Sequence, residues 1–256
     1  MLIYLIIAAF VAIIVMLTWF FLKNDHGDKE PVSALWIAGL LGVLGFVAAG
    51  FLETWFIPLK SLTPGSSSYK SAFLAFLLVG LIEESCKFIP LAIFIFKRSY
   101  FNEHTDGIIY FALAGLGFGI PENIFYTIQY GSNAGALRLV ITPIFHAATV
   151  GLVGYFLIKV KIDHKGWWTV LLALMSAILL HGLYDFSLTT GIILLVVLAL
   201  GITFTVSAML FVLFFRAGEI DREQGLSVVG KNDFCRSCGA PNPDHDIHCE
   251  KCGKIA

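Results

Sequence analysis

The chain has 256 residues, of which 58% are hydrophobic and only 14% are charged, and its mean hydropathy is +0.84. These values exclude an ordinary soluble domain and are typical of a polytopic membrane protein. The formal net charge is −1 and no basic patch is present, so we expect no nucleic-acid partner.

Seven apolar segments follow one another along the chain, and a helix of about 20 such residues crosses a bilayer. They cover residues 1–22, 33–51, 71–96, 107–126, 138–158, 168–187 and 191–215. The first segment has no positive residue before it and no small-residue cleavage site after it, which favours a retained helix over a signal peptide. The sequence therefore predicts an all-α membrane helix bundle of about seven transmembrane helices in residues 1–216.

Lysine and arginine residues predict the orientation of this bundle, because positive residues concentrate in cytoplasmic loops. With the C-terminus inside, the cytoplasmic side holds Lys23, Lys29, Lys97, Arg98, Lys159, Lys161, Lys165, Arg216 and Arg222, and the outside holds only Lys60, Lys70 and Arg138. We therefore expect a multi-pass protein of the cell membrane with its N-terminus outside and its C-terminus in the cytoplasm.

The third segment carries three ionisable residues, Glu83, Glu84 and Lys87, near its middle. Each charge costs about 2.5 to 3.5 kcal/mol at the centre of a membrane helix, so such a cluster predicts a functional site. Lys87 lies one turn after Glu83 and can pair with it. Glu84 is rotated by about 100° from Glu83, so we expect it to lack a partner within its own helix.

Three later segments also contain polar residues inside their apolar runs. These are Glu122 and Asn123 in the fourth segment, His146 in the fifth, and His181 and Asp185 in the sixth. With about 1.5 Å per residue, Glu83, Glu122, His146 and His181 lie about 6 to 18 Å from the external ends of their helices. This common depth predicts one polar chamber near the external side.

The residues of the chamber suit hydrolysis in two ways. His146, His181 and Glu122 form a ligand set suited to a catalytic Zn²⁺ or another divalent metal, with Asp185 fixing the His181 tautomer. Glu83 or Glu84 can then deprotonate a water. Alternatively, a glutamate activates water without a metal, and the histidines with Asn123 stabilise the oxyanion.

Two functions of other classes also fit the composition. A proton- or metal-coupled transporter would use the same chamber, although the chain lacks an evident inverted repeat. A non-catalytic membrane scaffold would act mainly through its C-terminal tail. Loss of a membrane protein's cleavage on replacing Glu83 or Glu84 distinguishes a peptidase from both.

The ordered motifs resemble those of the PrsW family of intramembrane proteases, within the superfamily of CAAX prenyl endopeptidases and bacteriocin-processing enzymes. Glu83-Glu84-Ser85-Cys86-Lys87 is similar to the family's E-E-x-x-K motif, and Phe118 to Glu122 is similar to F-x-x-x-E. His146 corresponds to the lone helical histidine, and His181 to Asp185 matches H-x-x-x-D. The resemblance covers roughly residues 72–190.

This resemblance implies hydrolysis of a peptide bond in a membrane-protein substrate. It implies a catalytic glutamate pair, in a family commonly classed with metallopeptidases although related enzymes have been argued to be glutamate proteases. The best-known family role is the first, external cleavage of a membrane-spanning anti-sigma factor. The expected catalytic set is Glu83, Glu84, Lys87, Glu122, Asn123, His146, His181 and Asp185.

The C-terminal tail predicts a separate zinc ribbon in residues 233–256, joined by a linker over residues 217–232. Two C-x-x-C pairs, each followed by glycine, supply Cys235, Cys238, Cys249 and Cys252 as ligands. Four cysteines close a tetrahedral Zn²⁺ site, which makes the metal structural and not catalytic. We expect this module to fold only with its metal and to dock a cytoplasmic protein partner.

Overall fold

The computed structural model describes residues 2–25, 27–58 and 68–226, and these form an all-helical bundle without a sheet. Its seven helices are α1 (Leu2–Asn24), α2 (Val32–Phe56), α3 (Tyr69–Ile95), α4 (His104–Tyr130), α5 (Ser132–Ile162), α6 (Trp168–Thr189) and α7 (Ile193–Glu223). The predicted all-α bundle is confirmed for this part of the chain.

Helix α4 is the centre of the bundle, and most of its length is buried. It packs mainly against α5 on one side and α2 on the other, while α3 packs against α6 and α2. Helix α1 contacts α4 and α5, and α7 closes the bundle against α5, α6 and α4. The helices with the predicted site residues are therefore direct neighbours.

Glycines allow the closest approaches between the helices of the site. A Cβ atom on Gly80 of α3 would lie 2.6 Å from the carbonyl oxygen of Ile178 in α6. A Cβ atom on Gly115 of α4 would lie 2.3 Å from the carbonyl oxygen of His146 in α5. Only glycine permits these backbones to pack so closely, as is common in membrane helices.

In the part of the chain that the structure describes, five segments are long and apolar enough to cross a membrane: α2, α4, α6, α7 and the Ile141–Ile162 part of α5. Helix α3 has the length, but Glu83, Glu84 and Lys87 interrupt its apolar sequence. In α1, the apolar stretch Ala8–Asn24 is shorter. The chain is thus a multi-pass membrane protein.

Several helices are longer than the apolar runs that predicted them. Helix α2 continues to Phe56, α4 begins at His104, and α7 extends to Glu223. The prediction stopped where polar residues began, whereas hydrogen bonds to polar side chains sustain the additional turns. Glu103, for example, forms a capping box with Asp106 at the start of α4.

Candidate active site

Polar side chains from α3, α4, α5 and α6 meet in one buried chamber. Among the predicted site residues, Glu84, Lys87 and Asn123 have no exposed surface, and His146 and His181 are at most 2% exposed. The four helices thus bring together residues that are separated by up to about a hundred positions in the sequence. A buried cluster of this kind is costly in a membrane unless its members pair with one another.

Lys87 is the cation of the chamber, and it contacts both neighbouring carboxylates. Its Nζ donates to Glu83 Oε2 at 3.0 Å and to Glu84 Oε1 at 2.9 Å. The expectation that Glu84 lacks a partner in its own helix was therefore wrong. A spacing of three residues also places two side chains on the same helix face, and the long lysine side chain reaches both acids.

Glu84 receives further hydrogen bonds from other helices. His181 Nδ1 lies 2.7 Å from Glu84 Oε1, and the Thr149 hydroxyl donates to the same oxygen at 3.4 Å. The second oxygen, Glu84 Oε2, is buried and has no hydrogen-bond partner in the part of the chain that the structure describes. One carboxylate oxygen is thus fixed and the other is available to a ligand.

His146 is oriented by Glu122, which projects from α4. The distance from His146 Nε2 to Glu122 Oε2 is 2.5 Å, and Arg138 forms an ion pair with the other oxygen of Glu122. Arg138 Nε also donates to Asn123 Oδ1 at 3.3 Å. A series of polar contacts from Arg138 in α5, through Glu122 and Asn123 in α4, to His146 in α5 therefore holds these side chains in place.

The hydrogen bonds define the tautomer of His146 and surround His181 with acceptors. Because Glu122 accepts from His146 Nε2, the lone pair of His146 lies on Nδ1, 2.9 Å from Lys87 Nζ. Glu84 accepts from His181 Nδ1, and the other ring nitrogen of His181, Nε2, also faces carboxylates. That nitrogen is 3.4 Å from Glu83 Oε2 and 3.3 Å from Asp185 Oδ2.

A metal can be held by Glu83, His146 and His181, whose ligand atoms all lie within 4.8 Å of one another. Two imidazoles and a carboxylate are the donor set of many catalytic zinc sites, so the residues fit a divalent cation in kind. The predicted set had Glu122 in place of Glu83. In the structure Glu122 contacts the nitrogen of His146 that faces away from Lys87.

Lys87 is the one feature of the described chamber that competes with a metal. Its ammonium group contacts His146 Nδ1 and Glu83, which are two of the three candidate ligands. A cation can therefore bind only if the Lys87 ammonium group moves away from His146 Nδ1 and stays in contact with one of the glutamates.

Two charged residues of the chamber were not predicted from the sequence. Arg138, predicted to lie on the external side at the start of the fifth segment, forms an ion pair with Glu122. Glu53, in the last turn of α2, lies within electrostatic range of the carboxylates of Glu83, Asp185 and Glu122. Its buried Oε1 has no hydrogen-bond partner among the described residues. The signal was present, since Glu53 is a lone acid in an apolar run, but the predicted helix ended at residue 51.

The predicted zinc ligands of the tail, Cys235, Cys238, Cys249 and Cys252, lie outside the described residues. The ribbon and its linker stay predictions.

Comparison with known proteins places this chamber in a family. The model described as "PrsW family intramembrane metalloprotease" matches residues 30–216, which contain all the chamber residues. A protein named Protease PrsW from Bacillus subtilis (strain 168) is 34% identical over 180 residues, which is 69% of this chain and 78% of that protein.

Two further relatives carry the same name. Protease PrsW of Halalkalibacterium halodurans is 31% identical over 189 residues, or 71% of this chain and 81% of that protein. Protease PrsW of Clostridioides difficile (strain 630) is 29% identical over 195 residues, or 72% of this chain and 79% of that protein. No solved structure matches. These relatives support a peptidase over a transporter or a scaffold, and the chain belongs to the PrsW family of intramembrane metalloproteases.

Proposed function

We propose that the peptidase hydrolyses its substrate with Glu84 as the general base. The observation that carries this assignment is the free oxygen of Glu84. Its Oε1 is held by Lys87, His181 and Thr149, while the buried Oε2 has no hydrogen-bond partner among the described residues. A carboxylate fixed by one oxygen can accept a proton from water on the other oxygen with little reorganisation.

Glu83, His146 and His181 are the residues that would hold a divalent metal. A metal bound there supplies a water of lowered pKa and polarises the substrate carbonyl. Glu122 would act through His146, because a carboxylate on the far nitrogen of a ligating imidazole fixes its orientation and raises its basicity. For His181 the far nitrogen, Nδ1, is held by Glu84, and Asp185 would instead stand beside Nε2, the nitrogen that faces Glu83.

Asn123 is the proposed donor to the oxyanion that forms from the substrate carbonyl. Its Oδ1 is held by Arg138, so the amide orientation is fixed, and its buried Nδ2 has no hydrogen-bond partner among the described residues. A fixed N–H directed at developing negative charge contributes on the order of 3 kcal/mol in other hydrolases. Lys87 adds positive charge beside the two glutamates.

The metal-free mechanism is favoured by one specific contact, the approach of Lys87 Nζ to His146 Nδ1 at 2.9 Å. In that mechanism Lys87, and not a metal, would compensate the charges of the two glutamates. Metal analysis of the purified protein separates the two. One equivalent that disappears in His146→Ala and His181→Ala supports the metal site, and its absence from active protein supports the glutamate mechanism.

We further propose that all seven helices span the cell membrane, with the N-terminus outside and the C-terminus in the cytoplasm. This arrangement places the chamber toward the external side, which is compatible with external cleavage of an anti-sigma factor or a similar membrane regulator. The Cys235, Cys238, Cys249 and Cys252 tail would be a cytoplasmic zinc module for a protein partner. Metal content with and without the tail tests that assignment.

The activity is tested by comparing membrane proteins from cells that make the wild-type chain or a Glu83→Ala/Glu84→Ala variant. We expect at least one membrane protein to be cut in the wild-type cells and to stay intact with the variant, at equal levels of both proteases. If every cleavage product persists with the double variant, the assignment of the glutamate pair is wrong.

A further inference from the structure

A groove opens between α6 and α7 on the membrane-facing surface and has a volume of about 660 Å³. Its floor is formed by α5, including Thr149 and Phe156, and its walls by residues such as Ala173 of α6 and Gly201 of α7. Along α6 it extends from Leu180, the neighbour of His181, back to Trp168. That distance is about 18 Å, or roughly three helical turns.

The groove reaches the chamber through Thr149. This residue lines the groove, and its hydroxyl lies 3.4 Å from Glu84 Oε1. A molecule in the groove is therefore separated from the proposed general base by one small side chain. Thr149 also closes the chamber on this side, since only 1% of its surface is exposed.

The chemistry of the lining suits a protein helix better than a lipid chain. Small residues, among them Ala173, Ala177 and Gly201, allow another helix backbone to approach closely. The Ser176 hydroxyl is exposed in the same groove and can bond across to a helix, whereas an acyl chain offers it no partner. The Thr205 hydroxyl donates to the Gly201 carbonyl oxygen of its own helix and can still accept a hydrogen bond from an occupant of the groove.

A second apolar groove, of about 780 Å³, lies between α1 and α2 and is floored by α4. Its lining residues, such as Trp19 and Leu116, form no hydrogen bond or ion pair with the chamber residues named above. The second groove thus has the size for a lipid or a helix but no route to Glu84.

From the groove's continuity with the chamber, we infer that it binds the transmembrane helix of the protein substrate and presents the adjoining peptide bond to Glu84. This inference rests on the proposed peptidase mechanism. It assigns to α6 and α7 a role in substrate recognition that is separate from catalysis.

Gly201 provides a variant that fills the groove without disturbing the bundle. A Cβ atom at Gly201 meets nothing within 4 Å, and the same is true at Gly39, which lines the second groove. Gly201→Leu and Gly39→Leu are therefore matched substitutions that differ in the groove they fill. Leucine also has a higher helix propensity than glycine, so both helices are retained.

The probe is the membrane protein whose cleavage depends on Glu84, reconstituted with the protease in phosphatidylglycerol and phosphatidylethanolamine vesicles. We expect Gly201→Leu to raise KM about tenfold at nearly unchanged kcat, because it removes binding and not chemistry. Gly39→Leu should behave as the wild type. Wild-type kinetics for Gly201→Leu, or equal defects in both variants, would overturn the inference.

A second measurement does not depend on the glycine variants. In a Glu84→Gln protease, p-benzoylphenylalanine replaces either Leu172 of the groove or Ile93 of α3, which is 76% exposed. We expect crosslinks from position 172, and not from position 93, to the substrate's transmembrane segment. Crosslinks from position 172 to lipid alone overturn the groove assignment. Wild-type cleavage by Glu84→Gln would instead overturn the peptidase mechanism on which it rests.

Discussion

Two of the bundle's ionisable clusters differ in how their hydrogen-bonding capacity is used. One is the chamber around Glu84. The other, here termed the His104 clamp, consists of His104, Thr105, Asp163 and Asp221 and joins the start of α4 to the ends of α5 and α7.

Each polar side chain that forms the His104 clamp is hydrogen-bonded to another residue of the protein. The two ring nitrogens of His104 lie 2.7 Å from Asp221 Oδ1 and 3.0 Å from Asp163 Oδ1. Asp221 also accepts from the backbone N–H groups of His104 and Thr105, which are unpaired donors of the first turn of α4. The clamp therefore stabilises helix ends.

The chamber contrasts with the clamp because it leaves specific atoms available. Glu84 Oε2 and Asn123 Nδ2 are buried without hydrogen-bond partners in the described part of the chain, next to two oriented imidazoles. Buried unpaired polar groups are costly and are usually retained for function. Burial and charge alone thus do not identify an active site in this fold, and the unused atoms of Glu84 and Asn123 distinguish the chamber from the clamp.

The largest effect is expected for Lys87→Met. This change leaves Glu83 and Glu84 buried without their cation, which should lower the free energy of unfolding by about 3–5 kcal/mol and abolish cleavage. Thermal unfolding in detergent and a cleavage assay measure the two effects. The exposed Lys165→Met variant is the control. A Lys87→Met protein as stable as this control would contradict the described ion pairs.

Glu122→Gln should lower the activity, and it should also lower the stability because it removes the anion that pairs with Arg138. It keeps a side chain of the same size but weakens the contact that orients His146. Loss of such a supporting carboxylate typically costs about 10–100-fold in activity or metal affinity. Steady-state cleavage by purified protein tests this expectation. An unchanged rate would show that His146 does not depend on Glu122.

Asp221→Asn should differ from Glu122→Gln in changing stability alone. An amide cannot accept all the hydrogen bonds that Asp221 accepts, and we expect a loss of about 1–3 kcal/mol in the free energy of unfolding. The cleavage rate per folded molecule should equal that of the wild type. A selective fall in this rate would link the clamp to catalysis.

A pH dependence of stability is expected at Glu103, beside the clamp. Burial raises the pKa of its carboxyl from the ordinary 4.5 to about 8. Between these pH values the folded protein binds more protons at this group than the unfolded protein, so stability falls as the pH rises. We expect the slope of Tm against pH in this interval to be less negative in Glu103→Gln. An identical slope in both proteins would show that Glu103 is not the titrating group.

The sequence was sufficient to predict the elements of the chamber but not its internal contacts. Charges inside apolar runs identified Glu83, Glu84, Lys87, Glu122, His146 and His181, because few residues are so costly in a membrane. Their common depth followed from the rise per residue of a helix. The roles of these residues stay predictions.

The contacts of Arg138 and Glu53 could not be predicted because they depend on where helices end. Apolar periodicity does not reveal additional turns that are stabilised by polar side chains. The same limit hid the His104 clamp, since His104 precedes the predicted fourth segment, which began at residue 107. Its two side-chain partners, Asp163 and Asp221, lie at the end of α5 and in α7, and only the packed bundle brings them together.

The central claim is tested most directly by the rate at which purified Glu84→Gln cleaves the native membrane substrate, with Asp221→Asn assayed in parallel. We predict that Glu84→Gln still folds, at some cost in Tm from the loss of its ion pair with Lys87, and has no measurable cleavage, while Asp221→Asn is less stable than the wild type and cleaves normally per folded molecule. Cleavage by folded Glu84→Gln at the wild-type rate would contradict the account.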